Sequence, residues 1–251
     1  MKIKTLFVLL AIFAFASVAF AQTLVIKPQK KVYTRKGKVE FKEKRTFTVT
    51  YPLFNGTMSL AAKKKLENTI SYWKVFGTTL AENISGDTWL DEASYKVNYN
   101  KNGIFDISLT MEGSAAYPDS QTFDLVVNLK TGEQAKFADV FKADNEFAKM
   151  VDKKLKVEIA AMIKRIDKGE FTDNGKEAND SVKEQLNGLE FTAETFNEYS
   201  VSDKGVTILY DAGFPHVIQA AQPDGRYFFT WAEAKPFIKS GGLLGKFITT
   251  K

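Results

Sequence analysis

Between Gly113 and Phe141 the chain reads GSAAYPDSQTFDLVVNLKTGEQAKFADVF, and its periodicity changes within that stretch. Phe123, Leu125 and Val127 alternate with their neighbours at the period of a strand, Lys130 to Glu133 has the composition of a tight turn, and Phe137, Val140 and Phe141 lead toward a helix. Upstream, Ala93 to Tyr99, Ile104 to Met111 and Thr122 to Leu129 read as three strands, with Asn102-Gly103 and Thr131-Gly132 as turns, which makes an antiparallel meander. Downstream, Asn145 to Lys168 places Phe147, Val151, Leu155, Ile159, Met162, Ile163 and Ile166 on one helical face and lysines on the other. A meander that feeds a long amphipathic helix specifies an α+β fold: antiparallel sheet meanders packed with one long and one or two shorter helices.

The flanks fit that plan. From Thr23 to Phe54, apolar residues alternate as two or three strands that end at Pro52. Ser59 caps a helix carrying Leu60, Leu66, Ile70, Trp73 and Phe76, which ends near Gly77, and residues 78–92 leave room for a short helix before Asp87. After a polar loop over 169–179, Ser181 to Leu186 reads as a brief helix. Phe196 to Val201, Val206 to Tyr210 and Tyr227 to Thr230 read as strands, Val217 to Ala220 as a continuation, and Trp231 to Phe237 as a short helix or loop. The tail, 241–251, is too short to span a bilayer and either docks on the body or touches a partner. The organisation expected is one unit, or two packed halves over 22–128 and 129–240.

Residues 1–21 have the three parts of a secretory signal: basic Lys2 and Lys4, an apolar run from Leu6 to Phe15, and the small-residue end Ala19-Phe20-Ala21, with cleavage expected before Gln22. With 0 Cys, the mature chain has neither a lipidation cysteine nor disulfides, so a periplasmic or secreted protein without stable membrane insertion is expected. The formal net charge is +5, yet basic residues at 27, 30, 31, 35, 36, 38, 42, 44 and 45 face only Glu40 and Glu43 in the arm 27–45. That arm reads either as an attractor of anionic surfaces or as a solvated edge hairpin whose lysines block aggregation. No nucleic-acid-binding signature accompanies it.

The order of these pieces resembles an uncharacterised bacterial family of extracellular domains, DUF3298-like with a DUF4163-like N-terminal half. That family forms the outer domain of the lysozyme-sensing anti-sigma factor RsiV and occurs beside polysaccharide deacetylase domains. The resemblance runs through Thr48-Val49-Thr50-Tyr51-Pro52-Leu53, the helix from Ser59, the loop Gly113 to Pro118, Phe123-Asp124-Leu125, Lys130-Thr131-Gly132-Glu133 and Phe137-Ala138-Asp139-Val140-Phe141. Val206 to Tyr210, Phe214-Pro215 and Phe228 to Trp231 resemble its final strands. Family members often carry Gly-Gly-Ala-His in the loop, where this chain has Gly113-Ser114-Ala115-Ala116-Tyr117-Pro118 and no histidine. The resemblance implies a free-standing binding module whose partner is cell-wall glycan or an extracellular protein such as lysozyme.

Chemical motifs are sparse. The single histidine, His216, leaves no multi-histidine metal site and one imidazole base, with no Gly-x-Ser-x-Gly elbow to serve it. Asp87 with Asp91 and Glu92, or Asp139 with Asp144 and Glu146, are paired carboxylates that could run glycoside chemistry or simply cap helices. Asp173-Asn174-Gly175 with Asn179-Asp180 hints at calcium but lacks the EF-hand order of oxygens. No cofactor is expected. The binding residues expected are Tyr117, Tyr210, Phe214, His216, Tyr227 and Trp231, since loop aromatics stack on sugar faces or anchor protein partners.

Overall fold

The computed structural model describes residues 23–36, 42–56, 58–86, 89–114, 117–170 and 175–249. The proposed signal 1–21, Asp87, and Asp173-Asn174 lie outside the described residues. The fold is α+β, as the periodicity requires.

A six-stranded sheet runs in sequence order through β1 (Val25–Thr34), β2 (Thr46–Asn55), β3 (Leu90–Lys101), β4 (Ile104–Ser114), β5 (Pro118–Asn128) and β6 (Glu133–Gln134). Its joins are antiparallel except one. β2 runs parallel to β3 through Thr48↔Glu92 and Val49↔Ala93, because a helical crossover separates them: α1 (Leu60–Thr69), α2 (Tyr72–Val75) and α3 (Leu80–Ser85). Ser59 caps α1 by accepting the Ala62 N–H, as its position predicts. The helix does not reach Gly77 in one piece. It stops at Ile70, and a separate single turn after Ser71, which makes no side-chain cap hydrogen bond, buries Tyr72. The β3–β4 hairpin turns on Asn102 and Gly103, both at positive φ, the conformation an Asn-Gly turn supplies.

The second half adds α4 (Phe137–Val140), α5 (Asn145–Asp167) and α6 (Gly175–Gly188), then a three-stranded antiparallel sheet of β7 (Glu198–Val201), β8 (Gly205–Leu209) and β9 (Arg226–Thr230). α5 buries Phe147, Val151, Leu155, Ile159, Met162 and Ile166, the apolar face expected, while Ile163 is only half-buried. Its cap is Asp144, which accepts the Phe147 N–H at 2.8 Å. α6 is longer than the brief helix its sequence suggests. Val217 to Ala220 is not a strand: residues His216–Ala221 form a 3-10 turn in the β8–β9 connection. The chain closes with α7 (Trp231–Ala234), a 3-10 turn Lys235–Phe237 and α8 (Lys246–Thr249).

Two apolar cores share the larger sheet. One packs Phe47, Val49, Leu66, Tyr72, Phe105, Ile107, Leu109 and Val127 beneath the short helices. The other gathers Phe137, Phe141, Phe147, Tyr199 and Phe229 around α5, with Ile104 and Val126 contributed from the opposite face of the sheet. Strands β4 and β5 are thus covered on both sides where they cross the molecule, and their buried runs are nearly continuous rather than alternating.

Candidate functional site

The aromatic residues singled out by sequence do not come together as one platform. Tyr227 is buried, and its hydroxyl donates to Glu158 Oε2 of α5 at 2.9 Å; burial, and then that carboxylate, hold the phenol well above its ordinary range. Phe214 is buried too, its backbone N–H donating to Gln222 Oε1 at 2.7 Å. Trp231 stacks on Phe247 of α8, with ring centroids 4.1 Å apart and planes 3° apart, and its Nε1–H donates to the Asp203 carbonyl. That stack and the buried Leu244 settle the tail against the body, one of the two roles expected for it. His216 opens the 3-10 turn. Tyr117, at 67% exposure, stands at the start of β5. Tyr210 lines a cavity, its ring edge-on to Phe191 at 5.5 Å.

That cavity is a cleft of about 680 Å³ between the two sheets. One wall is the first half of β5, from Asp119 to Asp124; the floor includes Asn197 and Glu198 at the start of β7. The other wall is made by Leu209 to Asp211, Gln219, Gln222 and Asp224 to Arg226. Five carboxylates line it, those of Asp119, Asp124, Glu198, Asp211 and Asp224, against the single guanidinium of Arg226. Its potential is therefore opposite in sign to the formal charge of the whole chain.

A buried polar network holds the sheets at this spacing. Asp106 of β4, fully buried, accepts the Ser200 hydroxyl at 2.7 Å and the Val201 N–H at 2.6 Å from β7, and the Asn98 side-chain amide at 3.0 Å from β3. Burial pushes its carboxyl up from 3.8 to about 6; the three hydrogen bonds pull the other way, and neighbouring Asp124 adds to the rise. Asp124 accepts the Ser108 hydroxyl at 2.5 Å and the Asn98 amide at 3.2 Å, with Arg226 Nη1 3.7 Å away. Glu198 has its carboxyl raised by burial and by the charges of Asp124 and Asp211, against a hydrogen bond from the Asp124 N–H.

The facing wall is braced separately. Asp211 Oδ1 accepts the Gly213 N–H at 2.9 Å and the Gln222 amide at 3.0 Å, and Glu158 accepts the Asp224 N–H. Gly225 is at φ +67°, and a Cβ there would stand 1.8 Å from the Tyr210 carbonyl, so only glycine lets the β9 strand start so close to the end of β8.

The carboxylate pairs proposed from sequence have structural work. Asp139 accepts the Lys136 N–H, Asp144 caps α5, and Asp91 pairs with Lys44 at 2.6 Å. Among the described residues no group of three or more His, Cys, Asp or Glu is placed to hold a metal ion. The cleft acids escaped a search for local clusters because they are spread from 119 to 224. The one signal available was that Asp119, Asp124 and Asp211 fall beside the loops carrying the family resemblance.

Of the basic arm, residues 27–36 and 42–45 are described, and Lys38 and Glu40 lie outside the described residues. β1 is the edge strand of the larger sheet, with Lys27, Lys30 and Lys31 exposed. Arg35, however, is not solvated. It is fully buried over the Phe47 ring at 4.9 Å and donates to the carbonyls of Lys44, Thr46 and Leu90, tying the end of β1 to β2 and β3.

No protein-family model matches this chain, and none of the curated proteins does. Among solved structures, it is similar to a DUF3298 family member from Bacteroides fragilis, with a TM-score of 0.55 and 9% identity over 92% of this chain and 100% of that one. It also aligns with a DUF3298 family protein from Pseudomonas aeruginosa, at a TM-score of 0.48 and 13% identity over 86% and 94%. At such identity the first likeness establishes the fold, which is DUF3298-like, as the sequence resemblance implies. No helix among the described residues is long and apolar enough to cross a membrane.

Proposed function

We propose that this protein is an exported, non-enzymatic binding module of the cell envelope that takes a cationic protein, such as a wall-degrading lysozyme, in the cleft between its sheets. The observation that carries this reading is the sign of the cleft: five carboxylates and one guanidinium, in a chain of formal charge +5. Such a surface attracts cations and repels anionic wall polymers, so it favours a basic protein over peptidoglycan fragments. Export rests on residues 1–21. In this reading the division near residue 128 has a purpose, because β5 supplies one wall of the cleft and the second half supplies the other.

Calorimetry of residues 22–251 with lysozyme tests this, with sacculi co-sedimented in parallel at two salt concentrations. Binding to lysozyme is expected to weaken with salt, and to fall about tenfold when Asp211→Asn and Asp224→Asn are combined, since both acids are exposed on the cleft wall. Binding to sacculi alone would overturn the reading. A second reading, carboxylate-based action on wall polysaccharide, draws on Glu198, whose raised carboxyl beside Asp124 resembles an acid poised near a base. It requires release of muropeptide or acetate from sacculi, lost in Glu198→Gln.

A further inference from the structure

The cleft wall formed by β5 is a sheet edge. β6 pairs with β5 only at Val127↔Gln134 and Asn128↔Glu133, so Pro118 to Leu125 have no hydrogen-bonded strand partner on the outer side among the described residues, although β7 packs beside the Asp124 end. On the inner side β5 pairs with β4 without a break, from Ile104↔Asn128 to Ser114↔Pro118. The Val126 carbonyl accepts the Ala135 N–H, so Val126 presents its polar backbone outward. In an unbroken antiparallel ladder every second residue does the same, which turns the N–H and C=O groups of Asp124, Thr122 and Ser120 toward the cleft. Carboxylates already hold two of these N–H groups: Asp119 Oδ1 accepts that of Ser120 at 2.8 Å, and Glu198 that of Asp124. The strip from Asp119 to Asp124 is six residues, about 20 Å of extended chain, and lies along the cleft.

We propose, building on the cleft assignment above, that this edge is a docking strand: an extended, Lys- or Arg-rich segment of a partner protein adds to β5 as a further strand. Pairing to the Thr122 N–H and to the outward carbonyls of Ser120, Thr122 and Asp124 fixes its register, while Asp119 and Glu198 keep the other two N–H groups. Its cationic side chains meet Asp119, Asp211, Asp224 and Glu198, which no anionic or neutral segment would satisfy. A second copy of this chain fits less well, because its own basic strand, β1, carries Pro28 and is backed by a whole domain that the cleft cannot admit.

The test uses residues 22–251 and a labelled octapeptide of alternating Lys and Val, read by fluorescence anisotropy. Two further versions carry N-methyl groups on one or the other alternate set of amides. A strand offers only one set to its neighbour, so methylation of that set is expected to weaken binding about tenfold or more and methylation of the other to leave it unchanged. Thr122→Pro, which removes an outward N–H at an edge position that tolerates proline, is expected to match the first version, with circular dichroism confirming the fold. Asp119→Asn with Asp211→Asn provides a second variant that leaves the backbone untouched and should weaken the unmethylated peptide severalfold. Equal affinity for the two methylated peptides, or no binding of any peptide, overturns the docking strand. If lysozyme still binds in that case, the cleft reading survives alone; if the peptide binds by one edge and lysozyme does not, the docking strand survives alone. Self-association in sedimentation that Thr122→Pro abolishes would make a second copy the occupant and overturn the proposal as stated.

Discussion

At one end of the larger sheet, β1 shows solvent Lys27, Lys30 and Lys31 with Pro28 among them; toward the other, β5 forms one wall of an acidic cleft with Asp119 and Glu198 on two of its outward amides. Both are unpaired edges of the same sheet. The first is protected in the manner typical of edges meant to stay unpaired, by like charge and by a residue with no N–H. The second lacks lysine and is shielded by walls that leave about 680 Å³ open. A protein that only needed to avoid aggregation could treat both alike, and the docking proposal rests on that difference.

That contrast can be broken most severely at the cleft wall. Gly225→Ala forces a Cβ against the Tyr210 carbonyl at a left-handed φ, so a loss of about 3 kcal/mol or more is expected in urea unfolding, together with loss of all cleft binding. A loss under 1 kcal/mol would show that the wall yields.

The join between the sheets comes next. Because Asp106 titrates near 6 when folded and near 3.8 when unfolded, the folded state holds a proton over that window that the unfolded chain has released. Stability therefore falls as pH rises from about 4 to 6 and levels off above, by an amount on the order of 2 kcal/mol. Asp106→Asn is expected to flatten that slope in urea midpoints measured at pH 4, 5, 6 and 7. An unchanged slope would assign it to other groups.

Smaller effects separate the aromatic residues from the cleft. Trp231→Ala should cost about 1 kcal/mol by undoing the stack that holds α8, and should leave lysozyme and peptide affinity as they were. Weakened binding in a folded Trp231→Ala protein would return the site to the aromatic set. At the opposite edge, replacing Lys27, Lys30 and Lys31 together by Thr is expected to change the melting temperature by no more than about 2 °C while promoting concentration-dependent association, visible by light scattering. A triple variant that stays monomeric would mean that the charge on β1 is not what keeps that edge unpaired.

Much of this architecture is legible along the chain because its causes are short-range. The apolar stripe of α5, the Ser59 and Asp144 caps and the Asn102-Gly103 turn each depend on residues within a few positions of one another, so periodicity and side-chain chemistry suffice to find them. The absence of cysteine chemistry and the α+β class follow in the same way. Other features depended on packing. Arg35 looked like one more solvated cation and is buried beneath three carbonyls; Val217 to Ala220 looked extended and is a 3-10 turn, tied across Asp211 and Gln222.

The cleft belongs to that second kind. Asp119, Asp124, Glu198, Asp211 and Asp224 are unremarkable where they stand in the chain, and of the aromatics singled out Phe214 and Tyr227 are buried while Tyr117 is exposed. They meet because β4 and β7, 94 residues apart at Asp106 and Ser200, are locked by buried hydrogen bonds that no local pattern encodes. Local sequence determined which segments become strands and helices. Which carboxylates share a cleft, and which strand edge opens into it, was decided by the packing of one sheet against the other.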